Sequence, residues 1–317
     1  DPQRAASRGR AFFLARSEDL VFELDPRCGT PVARFGLAPP ERPAGARTSN
    51  PHDAAAAPDG SVFVVLYNEP RIAVVEDGKV AGGIDLSTYD LDGNPQADAI
   101  RIVDVGGVPK AFVSLERLDD AGGLRSTRPS HMLRIDVASR AVEAVIELAG
   151  RNPFNPMSEL GPFLYLAAPG NFDDAAEDAA GVEQFDTRTS TTRLLVSERD
   201  LGGSVAEVAV TEGCAAAIVA GPEPNVNPTA LATFDPETGR VFATARTPAL
   251  GPTPGYELQG LAWRGRYLYV GDRRRVPSGY AVHVLERTGD ACELRPTGRT
   301  LDLPEKPVAL RPAQQDR

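Results

Sequence analysis

Asp53-Ala-Ala-Ala-Ala-Pro-Asp-Gly60-Ser-Val-Phe-Val-Val-Leu66-Tyr-Asn-Glu-Pro70-Arg-Ile-Ala-Val-Val75-Glu-Asp-Gly78-Lys-Val80-Ala-Gly-Gly-Ile-Asp-Leu86 reads as four short β-strands in succession. Pro58-Asp59-Gly60, Asn68-Glu-Pro70 and Asp77-Gly78 separate them. Asp-Gly between apolar runs is a strong hairpin signal, because both turn residues tolerate positive φ.

The same order recurs along the chain. Runs equivalent to 62–65 occur at 11–14, 111–114, 163–166, 215–219 and 267–270. Runs equivalent to 71–75 occur at 20–24, 132–135, 182–185, 230–234 and 281–285, each followed by a turn. A polar residue stands just inside five of the first strands: Asp53, Asp98, Asn155, Glu207 and Gln259, at gaps of 45, 57, 52 and 52 residues. Six units of about 53 residues fill the chain, and a four-stranded unit at such a period predicts a β-propeller. The predicted architecture is all-β and six-bladed, with four-stranded antiparallel blades in a single domain over residues 1–317. No first strand is evident before Ala11. Lys306-Pro-Val-Ala-Leu-Arg311 is therefore expected to supply it and close the ring.

Composition agrees. Gly (30) and Pro (28) are too frequent among 317 residues for a helical protein. No stretch approaches the roughly 18 apolar residues of a membrane helix. The net charge of −10, with few clustered cations, argues against nucleic-acid binding. The three cysteines, Cys28, Cys214 and Cys292, are too widely spaced for a zinc or redox motif. Cys214 with Cys292 is the expected disulfide, since both lie in late, adjacent blades; Cys28 with Cys292 is the alternative.

The Asp-Pro-x-Thr/Cys-Gly turns and Ser49-Asn-Pro-His-Asp53 resemble YncE-like β-propeller proteins, and within them exported bacterial lipoproteins. The resemblance covers nearly the whole chain. It implies a periplasmic or cell-surface location, with the export signal removed and a lipid anchor upstream of Asp1. It carries no agreed activity.

The five first-strand polar residues stand 6 to 8 residues before the Gly that turns each first strand into its second. Equal offsets predict equal height around a propeller axis. Asp53, Asp98 and Glu207 are expected to converge there, with Asn155 and Gln259 as neutral neighbours. Converging carboxylates require a cation, a proton or a base. The oxygen-only set suits Ca²⁺ or Mg²⁺; strand capping on channel water is the alternative. Tyr89-Asp-Leu-Asp-Gly-Asn94 has carboxylates at alternate positions but lacks the Glu and the Gly spacing of an EF-hand, and reads chiefly as a turn. Loops on the same face offer His52, Asn68, Arg117, His131, Asn171 and Arg273 as ligand contacts. The acidic 171–178 and basic 273–275 segments are placed there too. His283 reads as a packed core residue.

No nucleophile motif, zincin motif or dinucleotide fingerprint occurs. Two functions remain open. One is a non-enzymatic extracytoplasmic propeller that binds a small molecule or protein. The other is a metal-dependent lactonase of the gluconolactonase type, in which Asp53, Asn155 and Glu207 hold the ion.

Overall fold

The computed structural model describes all residues except 1, 8, 39–45, 173–176, 222–227, 254, 256, 277, 278, 290, 306, 308, 309 and 311–317. It contains six four-stranded antiparallel meanders in chain order. They span residues 2–36, 51–85, 97–147, 154–197, 204–243 and 258–303, here called sheets 1 to 6. A short further strand, Leu250–Thr253, pairs with Thr229–Phe234 of sheet 5. Every second and third strand read from the sequence is a second or third strand here. The Asp-Gly signal behaves as its chemistry requires: Asp77 (φ 49°) and Gly78 (φ 74°) both take positive φ, closing Arg71–Glu76 onto Lys79–Asp85.

The first strand of sheet 1 corrects the sequence reading. Pro2–Ser7 pairs with Arg10–Ala15, so the place assigned to Lys306-Pro-Val-Ala-Leu-Arg311 is already filled. Pro2-Gln-Arg-Ala-Ala-Ser7 has no β-branched or aromatic residue, so pairing rather than propensity makes it a strand. Most of the 306–311 segment lies outside the described residues.

The chain, read above as one domain, divides into two compact units: sheets 1–3 within residues 1–147 and sheets 4–6 within 148–312. In each unit the core lies between successive sheets. Sheet 2 shows why. Side chains alternate across a strand, so Val62, Val64 and Leu66 pack with Phe12, Leu14 and Phe35 of sheet 1. Phe63 and Val65 pack with Ile100, Val113 and Leu133 of sheet 3. A strand buried on both faces must be apolar throughout, which explains the unbroken run at 62–66. Sheets 4–5 and 5–6 share equivalent cores around Phe234 and around Trp263.

Cys214 and Cys292 form a disulfide joining sheets 5 and 6, as expected, and Cys28 is free and exposed.

The first strands of sheets 2 to 6 shift register near their start, whereas Pro2–Ser7 of sheet 1 pairs without a shift. In sheet 2, Pro51 pairs with Leu66 and Asp53 with Val65, leaving His52 extra. In sheet 5, Val205 pairs with Val219 and Glu207 with Ile218, leaving Ala206 extra. In sheet 3, Asp98 and Ala99 lie between the pairs Ala97–Leu115 and Ile100–Val113. In sheet 6, Gln259 and Gly260 lie between Leu258–Asp272 and Leu261–Val270. A bulge presses backbone onto the facing strand. At Gly271 a Cβ would stand 2.2 Å from the Gln259 carbonyl oxygen, so no other residue fits without movement.

Candidate functional site

The bulge separates two kinds of polar residue that equal spacing had merged. By pairing, Asp53 and Glu207 are equivalent, each one residue after the extra one. Asp98 and Gln259 match His52 instead, one residue earlier. One extra residue reverses the face a strand side chain takes.

Asp53 and Glu207 stitch neighbouring sheets. Asp53 Oδ2 accepts from the Ile100 amide (3.1 Å) and Arg101 Nη1 (2.8 Å) of sheet 3, and Oδ1 from the Ala54 amide (3.0 Å). Glu207 accepts from the Gly260 and Leu261 amides of sheet 6 (2.8 and 3.0 Å). Asn155, at φ 65°, donates to the Ala206 carbonyl of sheet 5 (2.7 Å). Gln259 Oε1 accepts from Arg273 Nη1. These contacts satisfy buried backbone groups at the seams. They also use the carboxylate oxygens a Ca²⁺ ion would need, so Asp53 and Glu207 do not fit a cation cage as they stand. Among the described residues no group of three or more His, Cys, Asp or Glu is placed to hold a metal.

The bulge residues of the first unit, by contrast, meet the residues that follow the second strands. Arg16 follows Arg10–Ala15, Tyr67 follows Val62–Leu66 and Glu116 follows Val108–Leu115. His52 Nδ1 lies 2.7 Å from Asp98 Oδ1, and His52 Nε2 contacts Arg16 Nη2. A guanidinium can only donate, so Nε2 is the acceptor and Nδ1 carries the proton given to Asp98. His52 is therefore a neutral ring. Burial, the main cause, with Arg16 assisting, lowers its pKa against the pull of Asp98. Tyr67 stacks on that ring (centroids 4.2 Å, planes 14° apart), and its hydroxyl donates to Glu116 Oε2 (2.8 Å). Glu116 is 1% exposed. Burial first, and the neighbouring Asp98 second, push its carboxyl well above the ordinary range. Among the described residues no donor reaches Glu116 Oε1. Burial and Glu116 also raise the Tyr67 phenol.

A second group lies beside it in sheet 3. Arg117 Nη1 donates to the Pro129 carbonyl (2.7 Å) and lies 2.9 Å from His131 Nε2, so these two expected ligand residues do meet. Burial and Arg117 lower the His131 pKa. The acidic turn at 89–94 is held by a cation of the chain's own: Arg128 donates to Asp90 Oδ1 (2.6 Å) and Asp92 Oδ2 (3.2 Å). The other expected contacts stand elsewhere. Asn68 donates to the Thr48 carbonyl (2.9 Å), and Asn171 in the second unit bonds Glu177 (3.0 and 3.2 Å). Residues 173–176 of the acidic loop lie outside the described residues. Arg273 and Arg274 are not in a loop but inside the long strand Tyr267–Val276. Arg274 pairs with Asp272 (2.6 Å), which also lies 2.8 Å from His283 Nε2. His283 is thus half-buried and paired rather than core. Burial opposes it, yet Arg274 and His283 bring the Asp272 carboxyl down to about 2.

The register allows the same places to be read in the second unit. Ala167 pairs with Phe154, Val219 with Val205 and Asp272 with Leu258, as Leu66 does with Pro51. The next residues, equivalent to Tyr67, are Ala168, Ala220 and Arg273. Among the described residues, the polar group of the first unit has no full counterpart there.

Neither a family model nor a curated protein matches the chain. Solved structures do. Hydrazine synthase of Kuenenia stuttgartiensis is 16% identical over 89% of this chain and 75% of its own, with a TM-score of 0.63. Virginiamycin B lyase of Staphylococcus aureus is 10% identical over 98% and 88%, with a TM-score of 0.59. A putative 6-phosphogluconolactonase of Bacteroides uniformis is 14% identical over 93% and 82%, with a TM-score of 0.58. The neighbours are β-propeller proteins, and at these identities the likeness is one of fold alone.

Proposed function

We propose that this chain is a non-enzymatic, extracytoplasmic protein that binds a small polar molecule at Arg16, His52, Tyr67, Asp98 and Glu116. One observation carries the reading. Five ionisable or polar side chains from three sheets meet in the first unit, at places where the second unit has Asn155, Ala206, Gln259, Ala168, Ala220 and Arg273 and among them a single charged side chain. Burying such groups costs free energy unless each is paired, and the strand plan of the second unit does without them. A role beyond the fold accounts for their presence. The group contains acids, a base and donors but no Ser or Cys nucleophile, which favours recognition over acyl transfer. The disulfide supports an oxidising location.

The test is a thermal-shift screen of small metabolites on wild type and Tyr67→Phe. Hits that stabilise only wild type are expected. Hits that stabilise both proteins equally would place the ligand elsewhere. The putative lactonase among the structural relatives supplies the second reading. Turnover of gluconolactone by wild type, lost in Glu116→Gln, would replace binding by hydrolysis.

A further inference from the structure

We infer that the ligand carries a carboxylate and that Arg16 receives it; this rests on the reading of the site given above. Arg16 is half-buried and its position is fixed from two sides. Its Nε donates to Asn50 Oδ1 (2.5 Å) and its Nη2 contacts His52 Nε2. Both acceptors are neutral. Other arginines of the unit are held differently: Arg101 pairs with Asp53 (2.8 Å), Arg128 with Asp90 (2.6 Å) and Arg10 with Glu23 (2.7 Å). An arginine anchored by an amide and an imidazole is oriented by neutral partners.

The surroundings make that orientation deliberate in physical terms. Asn50 sits in the left-handed region (φ 53°), with its amide 3.3 Å from Asp19 Oδ1, which turns the side chain toward Arg16. Asp98 acts behind the ring. It takes the Nδ1 proton of His52 and so presents the Nε2 lone pair to the guanidinium. Tyr67 packs on the ring face and stops it turning. The planar fork of an arginine held this way matches a carboxylate.

The groups facing Arg16 and His52 are Asp98, Glu116, Tyr67 and Asp53; Asp120 faces Tyr67. Burial pushes the Glu116 carboxyl well above the ordinary range, and its ionisation at higher pH adds a negative charge beside Arg16, so carboxylate binding weakens as pH rises.

The probes are acetate, pyruvate and benzoate, with inorganic phosphate and methylammonium as contrasts at equal ionic strength. Calorimetry and thermal shift are run on wild type, Arg16→Gln and Arg16→Lys, each shown folded by circular dichroism. At least one monocarboxylate is expected to bind wild type and to lose roughly 10- to 100-fold in affinity in Arg16→Gln, with part retained in Arg16→Lys. Affinity should fall as pH rises, and less so in Glu116→Gln. Equal affinity for a carboxylate in wild type and Arg16→Gln overturns the proposal. So does the absence of any carboxylate effect up to about 50 mM, where even weak binding shifts melting. Binding of methylammonium alone, lost in Glu116→Gln, overturns the carboxylate while leaving the site reading intact.

Discussion

The first and second units use one strand plan and differ at a single level of it. Both place a seam acceptor after the bulge, Asp53 in one and Glu207 in the other, and both seams hold backbone amides of the next sheet. At the bulge itself and just beyond the second strand they part. The first unit has His52, Asp98, Arg16, Tyr67 and Glu116 in mutual contact. The second has Asn155, Ala206 and Gln259 at the bulge and Ala168, Ala220 and Arg273 beyond the second strand; there Gln259 bonds Arg273 and Asn155 donates to the Ala206 carbonyl. The seam acceptors therefore recur in both units, and the rest do not. That separates residues kept for architecture from residues free to serve a ligand.

The comparison breaks most easily at His52. Removing it in His52→Ala leaves Arg16 and the buried Asp98 without their shared partner, which should cost about 3–5 kcal/mol in chemical unfolding. The register-equivalent Gln259→Ala should cost about 1 kcal/mol. Equal losses would mean that the two levels are equally structural. Next in size is the cross-link the second unit alone possesses. Cys214→Ser with Cys292→Ser opens a loop of 78 residues and should cost about 2–4 kcal/mol. Hydrogen exchange should show faster opening in residues 204–303 and little change in 51–147; uniform loosening would contradict the division into units.

A smaller effect tests the proton. Glu116 has its folded pKa above the unfolded one, so the folded state holds its proton longer. Its stabilising contribution is complete below about pH 4.5 and declines as pH rises through the folded value. Glu116→Gln should remove that part of the decline and melt higher than wild type near pH 8. His52 works oppositely: its lowered pKa supports the fold above about pH 6.5 and is lost on acidification. A Glu116→Gln protein with the wild-type pH profile would show that the folded state does not hold the Glu116 proton. The smallest effect is an expected null. EDTA or millimolar Ca²⁺ should leave the melting temperature within about 1 °C, because Asp53 and Glu207 spend their oxygens on amides. A rise with Ca²⁺ that Asp53→Asn abolishes would restore the cation.

Much of this was legible in the sequence, for a physical reason. Interior strands of stacked sheets are apolar and bounded by turns, so the runs at 62–66 and 71–75 announce themselves. Pro2–Ser7 did not, since its composition is that of a loop and only its partner makes it a strand. The polar positions were found on the right strands, but spacing cannot see a bulge. Asp98 was aligned with Asp53 although it pairs like His52. Arg16, Tyr67 and Glu116 belong to no motif. A signal was present: each stands two places after Leu14, Val65 and Ser114, the equivalent ends of the second-strand runs. It became meaningful once the registers showed which residue each would touch.

The extra residue in the first strand has a consequence for how such a protein can change. Because it sets seam and cluster on adjacent positions with opposite facing, substitution at 52 or 98 leaves the stitch at 53 to its own neighbours. The bulge works as a socket: the chain can exchange the chemistry plugged into one position while the wiring that joins sheet to sheet stays in place. A library confined to 16, 52, 67, 98 and 116 is thus the economical route to new binding preferences on this scaffold.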